Sequence, residues 1–199
     1  MRWPRISVIL ALAFFLASCF VTSIHPLYTE KDLVFVPELL GTWKAEDEED
    51  LYTFQQSGEN AYELIITGQE SSQKSRQILG CDEPGRFEAH LVKLGKFLFL
   101  DIYPEVPEMG EYGLDFYLVP VHSFHKISIE KDVLRLVSLD YDWLEKMIKE
   151  SKVNLAHVRL EDRFVLTAST GELQKFVLKY AEDSEAFSDY SELNRQKQD

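Results

Sequence analysis

Between Thr42 and Leu139 one strand-like stretch follows another, and this succession is the strongest constraint on the fold. Apolar residues alternate with polar ones, or form short runs rich in β-branched and aromatic side chains, as is typical of strands. The predicted strands are Thr42–Ala45, Leu51–Gln56, Tyr62–Thr67, Arg86–Leu94, Phe97–Tyr103, Phe116–Ile129, Val133–Leu139, His157–Leu160 and Phe164–Thr167. We therefore expect a mainly β chain with about nine strands.

Most joins between these stretches are short and carry turn residues, for example Ser57–Asn60, Leu94–Lys96 and Glu130–Asp132. Strands joined this briefly run antiparallel, because a parallel crossover needs a dozen or more residues. The polar stretch Gly68–Gly85 is the largest interruption and is interpreted as a loop. An antiparallel meander must protect its edges, and closure into a barrel removes them. A small barrel is the favoured architecture, and an open sheet covered by helices is the alternative.

Two helices are predicted after the main run of strands. Asp140 has the position of an N-cap for a helix that buries Trp143. Ser169 and Glu172 have the spacing of a capping box, and apolar residues then recur at helical intervals up to Tyr180. We expect this C-terminal helix to pack on the barrel. From Asp183 onward the composition is polar, which predicts a frayed tail.

The first eighteen residues have the three parts of an export signal. Arg2 and Arg5 form a basic start, an apolar run follows from Ile6 to Ala17, and small residues precede a cleavage position. The apolar run is shorter than the roughly 20 residues that a membrane-spanning helix needs. Residues 1–18 are therefore predicted to be removed.

Leu16, Ala17, Ser18 and Cys19 resemble the bacterial lipobox at each position. The resemblance implies cleavage between Ser18 and Cys19 and a diacylglycerol group, with acyl chains such as palmitate, on the Cys19 thiol. An ordinary secretory cleavage nearby is the alternative. The lipobox implies a lipid-anchored protein of the bacterial cell envelope. Phe20 is not acidic, which favours the outer over the inner membrane.

The predicted organisation is a signal peptide at 1–18, a lipidated N-terminus with tether and turn at 19–40, a single β-rich domain at 41–182 and a polar tail at 183–199. Loss of Arg2 and Arg5, with no acid, changes the formal charge from −13 to −15. Such a charge argues against nucleic acid as a partner, and membrane attachment must come from the lipid. With Cys19 acylated, Cys81 has no cysteine left to pair with inside the chain.

The segment "LLGTWK", Leu39–Lys44, resembles the Gly-x-Trp opening of lipocalins and fatty-acid-binding proteins. This resemblance implies a lipocalin-like barrel in which Gly41 and Trp43 form the plug of one end. It further implies an arginine that stacks over the tryptophan, for which Arg159 and Arg163 are the candidates. The chain also resembles a group of uncharacterised bacterial lipoproteins, through "LYTEKDLVFVPELLGTW", "FEAHLVKLGKFLFLDIYP" and "RFVLTASTGELQKF". That resemblance implies no activity.

No pattern in the sequence indicates catalysis or a bound metal. His122 and His125 are three residues apart in a predicted strand and should point to opposite faces, so we interpret them as structural. The acidic run Glu46–Asp50 lacks the spacing of a calcium loop. The sequence has no nucleophile elbow, phosphate-binding glycine loop or zinc-binding helix motif. We therefore expect a non-enzymatic protein without a cofactor.

Two functions are compatible with these features. The first is a binding module that holds a small apolar or amphipathic ligand inside the barrel, with Tyr62, Phe99, Asp101 and His125 as candidate lining residues. The alternative is an interaction protein with a packed core that docks other envelope proteins. A hollow or a filled barrel distinguishes them.

Overall fold

The strands and helices follow from the alternation, turn and capping patterns of the sequence. The computed structural model describes residues 20–46, 49–68, 84–105, 119–160 and 163–197. The strands in these ranges are β1 Phe20–Ser23, β2 Leu33–Val34, β3 Gly41–Ala45, β4 Leu51–Gln56, β5 Tyr62–Thr67, β6 Gly85–Leu94, β7 Phe97–Pro104, β8 Ser123–Glu130, β9 Val133–Ser138, β10 His157–Arg159, β11 Arg163–Leu166 and β12 Asp189–Arg195. The α-helices are α1 Tyr141–Lys149 and α2 Thr170–Tyr180.

Eight strands form a closed antiparallel barrel in the order β3-β4-β5-β6-β7-β8-β9-β12, and β12 pairs back onto β3. The extra strand β2 pairs with β6 beyond the end of β5. The predicted barrel is therefore confirmed, and the open sheet does not form. Closure leaves the eight strands without a free edge, which satisfies backbone groups that an open sheet would expose.

The predicted frayed tail is wrong, because residues Asp189–Arg195 form the strand β12 that closes the barrel. Leu193 lies opposite Ala45 of β3 and Leu134 of β9. Leu193 is buried, but most of its neighbours on the strand are exposed, so the apolar pattern is weak. The strand forms because β3 and β9 each offer it an edge of backbone donors and acceptors.

The barrel strands carry two separate cores. Trp43, Leu64 and Leu100 are among the buried residues that fill the barrel interior. On the outside, Val92 of β6 and Phe99 of β7 belong to a second buried cluster that includes residues of α1 and α2. Strands β6, β7 and β8 are therefore buried on both faces where the helices cover them.

Both helices begin where the sequence predicts. The Asp140 carboxylate accepts a hydrogen bond from the Trp143 N–H at 2.7 Å and caps α1. The capping box of α2 is present, with the Ser169 N–H donating to Glu172 Oε2 at 2.9 Å. Each cap satisfies amide groups that the first helical turn leaves without a partner.

The tether predicted within residues 19–40 is wrong over its described part, because this segment packs against the barrel, but the predicted turn is present as a 3-10 helix at Glu30–Asp32. Leu27 and Leu39 are completely buried. The side chains of Thr170 and Gln174 on α2 donate hydrogen bonds to the carbonyl oxygens of Pro26 and Leu27. Strand β1 pairs in parallel with β11, which pairs with β10. The two short predicted strands, β10 and β11, therefore form a second, three-stranded sheet together with β1.

The strand predicted at Phe116–Ile129 begins later than expected, at Ser123. Pro120 lies just before it and has no N–H to contribute to a strand ladder. Residues 116–118 of this prediction lie outside the described ranges. None of the helices in the described ranges is long and apolar enough to span a membrane.

A candidate binding cavity inside the barrel

The barrel interior contains a cavity of about 260 Å³. It lies toward the end where β3 connects to β4, β5 to β6 and β7 to β8, and Trp43 does not line it. Inward-facing side chains of seven strands line it: Tyr52, Phe54, Leu64, Ile66, Phe87, Ile102, Ser123, His125, Leu136, Ser138, Ser191 and Leu193.

The cavity has one polar and one apolar wall. Its polar wall, the residues Ser123, His125, Ser138 and Ser191, lies on the adjacent strands β8, β9 and β12. The residues from β4, β5, β6 and β7 are aromatic or aliphatic. None of the described residues that line the cavity is Asp, Glu, Lys or Arg. Over its described lining the cavity is therefore amphipathic, with no permanently charged side chain.

His125 is the centre of the polar wall, as expected for a residue predicted to line the barrel. It lies directly opposite Ser138 across β8 and β9, and its Nδ1 is 2.9 Å from the Ser138 hydroxyl oxygen. Burial lowers the pKa of His125 to about 4, although the nearby charge of Asp101 acts in the opposite direction. The imidazole is therefore neutral near pH 7.

Tyr62 faces the barrel interior but does not line the cavity. It is completely buried, and its hydroxyl accepts a hydrogen bond from the Val36 N–H at 2.6 Å. Its ring stacks on Phe35 with the centroids 5.0 Å apart. Burial raises the pKa of Tyr62 above its usual value. Its role is to join the segment before β3 to the end of the barrel opposite the cavity.

Phe99 and Asp101 were predicted to line the barrel interior, and this prediction is wrong. Both lie on the outer face of β7, whereas Leu100 and Ile102 face inward. The Phe99 ring packs near Phe187, with centroids 6.1 Å apart. Phe99 and Asp101 share one face of β7, as the period of two requires, but both faces of this strand are buried, so burial does not distinguish inside from outside.

Asp101 joins the N-terminal segment to the outside of the barrel. One carboxylate oxygen accepts a hydrogen bond from the Leu27 N–H at 2.7 Å, and the other is 2.7 Å from His122 Nδ1. The rings of Tyr28 and His90 lie beside them, tilted by 35° to each other, with centroids 4.5 Å apart. Burial, with the charges of Asp101 and Glu88, raises the pKa of Tyr28 to about 12. His122 and His125 point to opposite faces, as predicted.

Arg195, and not Arg159 or Arg163, stacks over Trp43. Its guanidinium carbon is 4.1 Å from the centroid of the Trp43 ring. The other two candidates lie on β10 and β11 in the three-stranded sheet, where Arg159 pairs with Glu145 of α1. The order of elements along the sequence suggested that the stacking arginine lies on the strands before α2, but the strand that closes the barrel follows α2.

The plug at the end of the barrel opposite the cavity is built from Gly41, Trp43 and Arg195. Trp43 is completely buried, and its indole N–H donates to the Leu39 carbonyl oxygen at 2.9 Å. Arg195 Nη1 donates to the Leu40 carbonyl oxygen at 2.7 Å. Gly41 has a φ of +115°, and a Cβ there would lie 3.0 Å from Arg195 Nη1. Glycine therefore satisfies both the backbone conformation and the close approach of the guanidinium.

Sequence reasoning missed Ser138, Ser191 and Arg195. Ser138 and Ser191 lie two residues from the inward-facing Leu136 and Leu193 on their strands. Once the strands are known, alternation along each strand therefore places both serines on the inner face. The lipidation and cleavage residues Cys19 and Ser18 lie outside the described residues. Within the described ranges, no group of three or more His, Cys, Asp or Glu could hold a metal ion.

The architecture defines the class of this protein as a closed eight-stranded antiparallel barrel with a helix packed on it, which is consistent with a lipocalin-like fold. In comparisons with known proteins, no family model, curated protein or solved structure matches the chain. The function is therefore inferred from the cavity and its chemistry.

Proposed function

We propose that this protein is a lipid-anchored lipoprotein of the bacterial cell envelope that binds a small amphipathic ligand inside its barrel. The observation that carries the proposal is the cavity of about 260 Å³ with one polar and one apolar wall. Ligand sites are typically concave, mainly apolar and equipped with a few convergent polar groups. A barrel that served only as a scaffold would favour a filled interior, because an unfilled volume forfeits packing contacts.

The anchor in this proposal is Cys19, with cleavage after Ser18. The supporting features are the basic start, the apolar run and the match to the lipobox. Strand β1 begins at Phe20, so an acylated Cys19 would be followed directly by the three-stranded sheet. Two or more acyl chains hold a protein firmly at a membrane. The non-acidic Phe20 favours the outer membrane.

The proposal includes no catalytic activity. Ser138 and His125 lie within hydrogen-bond distance, which is a requirement for nucleophilic catalysis. However, a histidine with a pKa of about 4 is a weak general base near pH 7. Within the described residues, no carboxylate pairs with its second ring nitrogen to orient it. Binding therefore accounts for this pair better than catalysis.

Native mass spectrometry of the protein released from bacterial membranes tests the binding function. The expected result is a bound small molecule of defined mass that is lost from Ser123→Phe, because a phenyl ring at this position occupies the cavity. Ser128→Phe is the matched control, since Ser128 lies on the same strand β8 but is exposed on the outer face. An empty wild-type protein, or equal retention by both variants, would contradict the proposal.

A further inference from the structure

The described residues of the polar wall offer hydrogen-bonding groups but no charge, and this combination restricts the ligand. His125 and Ser138 are paired across β8 and β9, while Ser123 and Ser191 line the cavity from β8 and β12. Among the described residues, none donates to or accepts from the side-chain hydroxyls of Ser123 and Ser191. These hydroxyls are therefore available to a ligand.

The His125–Ser138 pair presents one donor and one acceptor to the cavity in either neutral tautomer. If Nδ1 carries the proton, it donates to the Ser138 oxygen, so the serine O–H and Nε2 remain as donor and acceptor. If Nε2 carries the proton, the serine O–H donates to Nδ1, so Nε2–H and the serine oxygen remain. A hydroxyl or amide group has the same combination of donor and acceptor.

An ionised headgroup finds no counter-charge on the described walls of the cavity. The lining residues that the structure describes include no Lys or Arg to pair with a carboxylate and no Asp or Glu to pair with an ammonium. The neutral His125 supplies no charge either, because burial holds its pKa at about 4. A charge moved from water into such a site loses hydration without compensation.

We infer that the ligand is an uncharged amphiphile, with a hydroxyl or amide head on the His125–Ser138 wall and a short hydrocarbon part against Phe54, Leu64 and Ile102. This inference rests on the proposed binding function and specifies its ligand class. The cavity of about 260 Å³ has room for roughly nine waters at about 30 Å³ each. A ligand portion of similar size has roughly nine non-hydrogen atoms.

Three probes with the same hydrocarbon chain test the inference: 1-octanol, octanoate and octylammonium. Each is titrated in detergent-free buffer at pH 7.5 into the purified chain that begins at residue 19 and carries Cys19→Ala, which keeps every described residue but has no lipid anchor. The heat of binding is measured by calorimetry. We expect 1-octanol to bind at least tenfold more tightly than either ion. Octanoate or octylammonium binding as tightly as 1-octanol would overturn the inference while leaving the binding function intact. Failure of all three to bind would overturn both.

Variants of the polar wall give the second arm of the test. His125→Leu is expected to weaken 1-octanol binding about tenfold and to reduce the preference over octanoate, because the wall loses its donor and acceptor. Ser138→Ala is expected to act in the same direction, and Ser128→Ala on the outer face of β8 is the matched control. Unchanged preference in both His125→Leu and Ser138→Ala, with folding verified by circular dichroism, would overturn the inference.

Discussion

Replacing Arg195 should destabilise the barrel at its plugged end. The guanidinium stacks 4.1 Å from the Trp43 ring centroid and donates to the carbonyl oxygens of Leu40 and Glu38. A partly desolvated cation–π contact is worth about 0.5–2 kcal/mol, and a hydrogen bond to a charged group about 1.5–3 kcal/mol. The Arg195 side chain is 27% exposed, so water can replace part of the stabilisation that these interactions provide.

We therefore expect Arg195→Met to lower the free energy of unfolding by about 2–4 kcal/mol. For a chain of this size the melting temperature should fall by on the order of 10 °C. Arg195→Lys should recover part of the loss, because lysine keeps the positive charge but lacks the planar fork that reaches two carbonyl groups. Urea unfolding followed by tryptophan fluorescence and circular dichroism measures both changes.

Arg135→Met is the matched control for this measurement. Arg135 lies on the neighbouring strand β9 and pairs with Glu192 of β12, but both side chains are largely exposed. Exposed ion pairs contribute little to stability, so the unfolding midpoint should barely change. Wild-type stability in Arg195→Met, or an equal loss in Arg135→Met, would refute the assignment of Arg195 as the closing residue of the plug.

Three further predictions concern other parts of the molecule. Asp101→Asn should destabilise the protein by about 2–3 kcal/mol, because it weakens the buried hydrogen bonds to Leu27 and His122. Hydrogen exchange should increase first at residues 20–29, and unchanged exchange there would contradict the role of Asp101 in holding this segment on the barrel. Because the folded-state pKa of His125 is about 4, below the ordinary 6.5, the unfolded chain takes up the proton first as the pH falls. Stability should therefore decrease from pH 6.5 toward pH 4 by up to about 3 kcal/mol, and His125→Gln should remove this part of the pH profile measured by urea unfolding. Cys19→Ala should abolish incorporation of labelled palmitate and release the protein from membranes, and persistent labelling would exclude Cys19 as the acylation site.

Much of the fold was accessible from local patterns. Strands β4 and β5 have the predicted bounds, and the caps at Asp140 and Ser169 lie where they were predicted. These features depend on residues close together in the chain: alternation within a strand, turn residues between strands and side chains that satisfy nearby amides. His125 was likewise predicted on the inner face by the period of two along its strand.

The candidate site was less accessible. Asp101 on β7 and His125 on β8 are diagonal neighbours across these two paired strands. Asp101 nevertheless faces the helices, whereas His125 faces the cavity. The period of two assigns residues to two faces but does not say which face is inside when both are buried. Ser191 and Arg195 lie on a strand with a weak apolar pattern, so the sequence did not indicate that they face inward.

By itself, the sequence determined the succession of antiparallel strands, the starts of both helices and the Gly41-x-Trp43 element, because each depends on interactions within a few residues. Only the tertiary structure decided that β12 closes the barrel, that Arg195 covers Trp43 and that the cavity has a polar wall. The physical reason is that closure pairs β12 with β3, strands about 150 residues apart in the chain. The hydrogen bonds and contacts that reward this pairing exist only once the other strands are in place.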